Sequence, residues 1–95
     1  MSIYTVAEIT IKDEAAYKEY QAQVPATIAK YGGRYLVRGG QVTPGEGGWN
    51  PGRIVILEFP DVESLTNWAS SPEYAPVAQI RHRAADTKSF MVEGV

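Results

Sequence analysis

Lys30-Tyr31-Gly32-Gly33-Arg34-Tyr35-Leu36-Val37-Arg38-Gly39-Gly40 is the stretch whose reading decides the fold. It predicts the end of a helix, a two-glycine stop, a short strand, and a second pair of glycines opening a loop. Gly32 suits the left-handed residue that closes a helix, because it has no Cβ to clash at positive φ. Strand alternation then puts Arg34, Leu36 and Arg38 on one side and Tyr35 and Val37 on the other. A side carrying two guanidinium groups and a leucine needs a cover, and a second copy of the chain is the simplest one.

Working back from the glycines, Tyr17, Tyr20, Val24, Ile28 and Tyr31 follow at steps of three, four, four and three, one face of an amphipathic helix. Asp13 is its N-cap and Glu14 adds favourable charge in the first turn. Pro25 removes an amide donor and predicts a kink within one continuous helix. Before it, Ile3 to Ile11 alternates as a strand, with Ile3, Thr5, Ala7, Ile9 and Ile11 on one face and Tyr4, Val6, Glu8 and Thr10 on the other.

Working forward, Gly39 to Gly52 holds six glycines, two prolines and Trp49, a long hairpin connection with no Gly-Lys-Ser/Thr phosphate motif. Trp49 reads more simply as a loop anchor or dimer contact than as a ligand lid. Arg53 to Phe59 is a third strand, with Val55, Leu57 and Phe59 on one side and Ile54, Ile56 and Glu58 on the other. Pro60 ends it. Asp61 caps a short helix with Leu65 and Trp68, and Ser71 caps a second piece with Pro72 in its first turn. Thr87 to Val92 is the last strand.

Composition narrows the function classes. The chain has 95 residues, 44% hydrophobic and 21% charged, which describes one ordinary globular domain spanning residues 1–95. Its net charge of −2 is dispersed, against the concentrated basic face that nucleic-acid binding requires. With no cysteine there is no thiol nucleophile and no thiolate metal site, and the composition fits a reducing cytoplasm. No signal peptide is expected from Met1-Ser2-Ile3-Tyr4, and no apolar run is long enough to span a membrane. His82 is the only histidine and lies between Arg81 and Arg83, so neither a metal site nor an axial haem ligand is expected. No cofactor is expected, and no nucleophile-elbow pattern surrounds any serine.

The element order strand, helix, strand, strand, helix, strand predicts a ferredoxin-like α+β sandwich, a four-stranded antiparallel sheet with the helices on one face. Ile3, Thr5, Ala7, Ile9, Tyr35, Val37, Val55, Leu57 and Phe59 carry no charge and are expected against the helices. The open face then collects Tyr4, Val6, Glu8, Arg34, Leu36, Arg38, Ile54, Ile56 and Glu58. It is too apolar for solvent and too charged for a simple core. A two-fold homodimer through this face would bury the apolar members and enclose a polar cavity. The candidate functional residues follow from it: Glu58 and Glu8 as general bases whose pKa a dry cavity would raise, and Arg38, Arg34, Tyr4 and Trp49 as ligand contacts. Arg34 is expected opposite Glu58. The simpler role for these four charges is ion pairing between strands and subunits.

Gly32 to Gly40, Trp49, Arg53 to Pro60, Ser71-Pro72-Glu73-Tyr74 and Val92-Glu93-Gly94 together resemble the family called domain of unknown function 1330, within the dimeric α/β-barrel superfamily. The resemblance spans essentially the whole chain. It implies the ferredoxin-like fold and a homodimer, with relatives that include cofactor-free monooxygenases, small-ring isomerases, haem proteins and stress-response dimers. Two functions are therefore expected to compete. One is a small-molecule-binding or structural module. The other is a cofactor-independent isomerase or monooxygenase acting on a small carbonyl or phenolic compound. A closed pocket holding a free carboxylate favours the enzyme, and full pairing of both glutamates favours the module.

Overall fold

Residues Ile3–Ile11 form strand β1, and Asp13 then turns the chain into helix α1, Glu14–Lys30. The Asp13 carboxylate accepts from Ala16 N at 3.1 Å, as an N-cap does. The helix closes at the glycine pair. Gly33 N donates to Ile28 O at 3.0 Å and Gly32 N to Ala29 O at 3.1 Å, with Gly32 at φ +82°. That is a Schellman closure, and it needs a left-handed residue at the position Gly32 occupies. Strand β2 (Arg34–Arg38), the long loop, and strand β3 (Arg53–Phe59) follow. Helix α2 (Val62–Ala69) starts at Asp61, whose carboxylate accepts from Ser64 N at 2.7 Å. Helix α3 runs Tyr74–Ala84 and passes without a loop into strand β4, Ala85–Glu93. The computed structural model describes all 95 residues.

The sheet order is β2-β3-β1-β4, with every neighbour antiparallel. Each helical connection therefore joins two parallel strands with one strand between them, the expected ferredoxin-like α+β arrangement. All helices lie on one face, which leaves a slab of two layers whose Cα extents are 38 × 37 × 16 Å.

The core fills the space between the layers. Phe59, Ile28 and Val24 are at most 2% exposed, with Ile3, Ile9, Leu57 and Trp68 packed around them. Phe59 and Trp68 stand 5.4 Å apart between ring centroids, and Trp68 and Tyr74 4.1 Å, in the tilted contacts that aromatic quadrupoles favour. The indole nitrogen of Trp68 donates to Thr27 Oγ1 at 3.0 Å, so the one polar atom of that ring is satisfied where it is buried. Ser71 performs the expected cap, its Oγ accepting from Tyr74 N at 3.0 Å, although regular helix begins only at Tyr74. β4 is longer at both ends than the expected Thr87–Val92.

One expectation about the faces is corrected. β2 carries a bulge between Tyr35 and Val37, so Leu36 and Val37 together stand opposite Ile56, and Arg38 pairs with Val55. An extra residue shifts the pleat by one and exchanges the faces of everything beyond it. Val37 moves to the open face with Ile56, and Arg38 moves to the helix face.

Pro25 leaves α1 unbroken, as expected, and accounts for where Arg38 goes. Proline has no N–H for the carbonyl of Gln21, four residues back. Arg38 Nη2 donates to that carbonyl at 3.0 Å while its guanidinium lies 4.7 Å from the centre of the Tyr35 ring. The bulge delivers a donor to an acceptor that the helix itself cannot serve.

Candidate functional site

The six residues singled out from the sequence divide between two faces. On the open face Arg34 and Glu58 are cross-strand partners, as expected, and Arg34 Nε donates to Glu58 Oε1 at 2.6 Å. The Tyr4 hydroxyl donates to the other carboxylate oxygen at 3.1 Å. These two donors hold the Glu58 carboxyl below its ordinary range, Arg34 first and Tyr4 second. The same bond pushes the Tyr4 phenol up, because losing its proton would set two anions side by side. The expected upward shift of Glu58 is therefore reversed: a paired carboxylate is favoured in its charged form.

Glu8 stands in register with Ile54 on β3 and Lys88 on β4. Its Oε2 accepts from Gly52 N at 2.9 Å, which pins the end of the long loop to the sheet. Trp49, 67% exposed, leans from that loop over a shallow depression of about 200 Å³ that also involves Val6, Glu8, Ile54, Lys88 and Phe90. Glu8 and Trp49 thus come together, some distance along the sheet from the Tyr4–Glu58–Arg34 cluster, and Arg38 joins neither group.

The larger cavity, about 340 Å³, lies on the other side, between the helix face of the sheet and helices α1 and α3. It is enclosed by a single chain and is distinct from the polar cavity expected against the dimer partner. Its floor is apolar, with Ala7, Ile9, Val55 and Leu57 from the sheet and Val24 and Ile28 from α1. Tyr17, Tyr20, Tyr35, Trp68 and Tyr74 supply aromatic walls.

Its electrostatics are one-sided. Arg38, Arg53 and Arg81 all reach it, with His82 at the rim, and no aspartate or glutamate lines it. The ion pairs of the chain are Lys12–Asp86, Lys30–Glu73 and Arg34–Glu58, so none of the three cavity guanidiniums has a carboxylate partner. Each instead lies near a tyrosine ring: Arg38 near Tyr35 at 4.7 Å, Arg53 near Tyr17 at 5.5 Å and Arg81 near Tyr20 at 5.9 Å. Cation–π contact holds a guanidinium in place without neutralising it. Burial pushes the Tyr20 and Tyr35 phenols up, so both stay protonated, and the Tyr20 and Tyr74 hydroxyls share a hydrogen bond at 3.2 Å. The cavity thus presents cations and neutral donors around an apolar floor, a complement for an organic anion.

Arg53, Arg81 and Thr87 were not among the residues the sequence singled out. Arg53 shares the parity of Val55, Leu57 and Phe59, so alternation along β3 already pointed its side chain toward the helices. Arg38 carried a different signal: a proline within a helix leaves a carbonyl looking for a donor.

The family model described as "Domain of unknown function (DUF1330)" matches residues 2–95. No curated protein matches the chain. Among solved structures, a protein of unknown function from Rhodopseudomonas palustris aligns at TM-score 0.77 and 17% identity, covering 99% of this chain and 82% of its own. SnoaB from Streptomyces nogalater, described as a cofactor-independent oxygenase, aligns at 0.73 and 14%, covering 99% and 93%. A dimeric ferredoxin-like protein of unknown function from Jannaschia sp. CCS1 aligns at 0.73 and 15%, covering 99% and 100%. At these identities the likeness is one of fold. No helix here is long and apolar enough to cross a membrane.

Proposed function

The chain belongs to the DUF1330 family, and on that premise we propose that it is a homodimeric module that binds a small organic anion in the cavity between its sheet and helices. The observation that carries this reading is the set of three guanidiniums, Arg38, Arg53 and Arg81, around one apolar cavity without a carboxylate among them. Arg53 and Arg81 are half-buried without counter-charge, with the more exposed Arg38 beside them, and an anionic ligand offsets the cost of holding such cations away from water. At about 340 Å³ the cavity sits near the lower end of the roughly 300–1,000 Å³ usual for ligand pockets, which suits a compound of one or two rings.

The homodimer rests on the other face. Leu36, Phe90 and Val92 are about half exposed there, beside Val6, Ile54 and Ile56, and an apolar patch of this kind is stabilised by a partner. The Jannaschia relative of the same fold is described as dimeric. In this reading the open-face residues Glu58, Arg34 and Tyr4 hold strands together, Glu8 secures the loop, and Trp49 packs at the dimer contact.

A second reading, a cofactor-independent oxygenase, draws on the likeness to SnoaB. It would use the cavity's tyrosines and His82, because Glu58 points away from the cavity and is too well paired to be an effective base. Binding is the better supported of the two.

The test is to titrate ¹⁵N-labelled protein with matched pairs of aromatic acids and their neutral amides. The acids are expected to bind preferentially and to move the amide signals of Gln21, Tyr35 and Val55. Shifts confined to Glu8, Ile54 and Phe90, or no preference for acid over amide, would refute the assignment. Glu58→Gln is expected to leave binding unchanged.

A further inference from the structure

Among the groups lining the helix-face cavity, two buried polar atoms have no hydrogen-bond partner: Arg53 Nε and Thr87 Oγ1. They are not scattered. Arg53 and Thr87 are the register partners of the same residue, Ile9, one from β3 and one from β4. They therefore stand in one row across three strands, on the helix face, about 5 Å to either side of Ile9. Buried donors are normally paired, and a matched pair left open on one row points to a ligand that both reach.

The surroundings of Arg53 are shaped to hold its side chain there. Its guanidinium lies against the backbone at Gly39, where any Cβ would collide with it, and faces the Tyr17 ring at 5.5 Å. Gly39 also has φ +72°, and its N–H donates to Ile54 O at 2.8 Å, so the loop is anchored at the point where the guanidinium passes. Backbone on one side and an aromatic ring on the other leave the guanidinium's plane fixed, with its donors unspent.

We infer that the Arg53–Ile9–Thr87 row is the head-group subsite of the cavity and that its ligand is a planar aromatic monocarboxylate. The inference rests on the anion-binding reading above and assigns the end of the cavity and the chemistry of the anion. The carboxylate stands over Ile9, takes a charge-assisted hydrogen bond from Arg53 and accepts from the Thr87 hydroxyl. The ring extends along Val55 and Leu57 between the Tyr17 and Tyr35 side chains. A planar guanidinium fork matches a planar carboxylate, and a single fixed fork with one hydroxyl suits a monoanion better than a phosphate dianion. Arg38 is engaged with the Gln21 carbonyl, and Arg81, on α3, lies beside the Tyr20 ring of α1.

Calorimetric titration of the intact protein with benzoate, benzamide and phenyl phosphate tests it. The wild type is expected to prefer benzoate to both. Arg53→Gln is expected to weaken benzoate at least tenfold and leave benzamide within twofold, with Thr87→Val weakening benzoate several-fold. Arg53→Lys, which keeps the charge and loses the fork, is expected to fold normally by its ¹⁵N spectrum and still to bind benzoate at least fivefold more weakly. Arg83→Gln, outside the cavity, is expected to stay within twofold of wild type, and Arg81→Gln to weaken benzoate less than Arg53→Gln does. Benzoate affinity lost in Arg81→Gln and kept in Arg53→Gln would move the head group to the other end and overturn the subsite while leaving anion binding intact. A preference for phenyl phosphate would overturn the carboxylate. Failure of both benzoate and phenyl phosphate to bind the wild type would sink this inference, and the broader acid panel would then decide the anion-binding reading separately.

Discussion

The two faces of one four-stranded sheet treat charge in opposite ways. On the open face Glu58 is matched by Arg34 and Tyr4, and Glu8 by the Gly52 amide. On the helix face no carboxylate stands beside the arginines: Arg53 has the Tyr17 ring and the Gly39 backbone, Arg81 the Tyr20 ring and the His82 ring nitrogen, and Arg38 a carbonyl and a ring. The face without helices has settled its electrostatics internally and left apolar side chains unsatisfied. The face under the helices has covered its apolar side chains and left its cations without counter-charge. In the proposed reading a second copy of the chain answers the first condition and a small anion the second.

The strongest way to break this contrast is to injure each face in turn. Phe59→Ala, on the helix face, is expected to cost about 3–5 kcal/mol in denaturant unfolding, because it empties a fully buried site beside Trp68 and Ile28. Ile56→Lys, three residues earlier on the open face, is expected to produce monomers of 10.4 kDa by light scattering. A well-folded dimer of Ile56→Lys would show that the apolar open face is not the contact.

A finer test concerns the residue that changed faces. If Arg38 serves the carbonyl that Pro25 cannot, Arg38→Gln is expected to cost roughly 1 kcal/mol in the wild-type background. In Pro25→Ala, where the helix supplies its own N–H, the same change should cost close to nothing. Equal costs in the two backgrounds of this double-mutant cycle would mean that the hydrogen bond contributes nothing and that the Tyr35 stacking accounts for the loss.

The smallest expected effect lies outside both faces. Glu73, just before α3, is paired with Lys30 and accepts from the Tyr31 hydroxyl at 2.7 Å, tying α3 to the end of α1. Lys30 first and Tyr31 second lower its carboxyl from 4.5 to about 2. A depressed carboxyl contributes stability that is fully present above about pH 4.5 and is lost as pH falls toward 2. Thermal unfolding of the wild type should therefore lose ground in that window relative to Glu73→Gln. Parallel pH profiles would remove this link from the acid response. The pair is exposed, so the difference is expected to be modest.

Much of this was legible beforehand. Asp13, Asp61 and Ser71 act as caps where their side chains and positions said they would, and Gly32 takes the left-handed turn its place after Tyr31 required. Arg34 meets Glu58 across two strands because both lie before the bulge, where simple alternation still holds. Arg38 escaped because alternation assumes an unbroken ladder, and one extra residue between Tyr35 and Val37 reverses it. The helix-face cavity escaped for another reason: residues on the sheet floor, α1 and α3 had each been assigned to the core by hydrophobic period. A period says which way a side chain points and not whether the layers meet tightly enough to fill the space.

Local chemistry in the chain therefore determined the elements, most of their ends and the largely apolar character of both sheet faces, since each depends on residues close in sequence or on a two-residue repeat. Tertiary structure alone decided which side Arg38 serves, where the enclosed space lies and which polar atoms remain unpaired. Those depend on the distance between layers and the register of separate strands, quantities that no single segment carries.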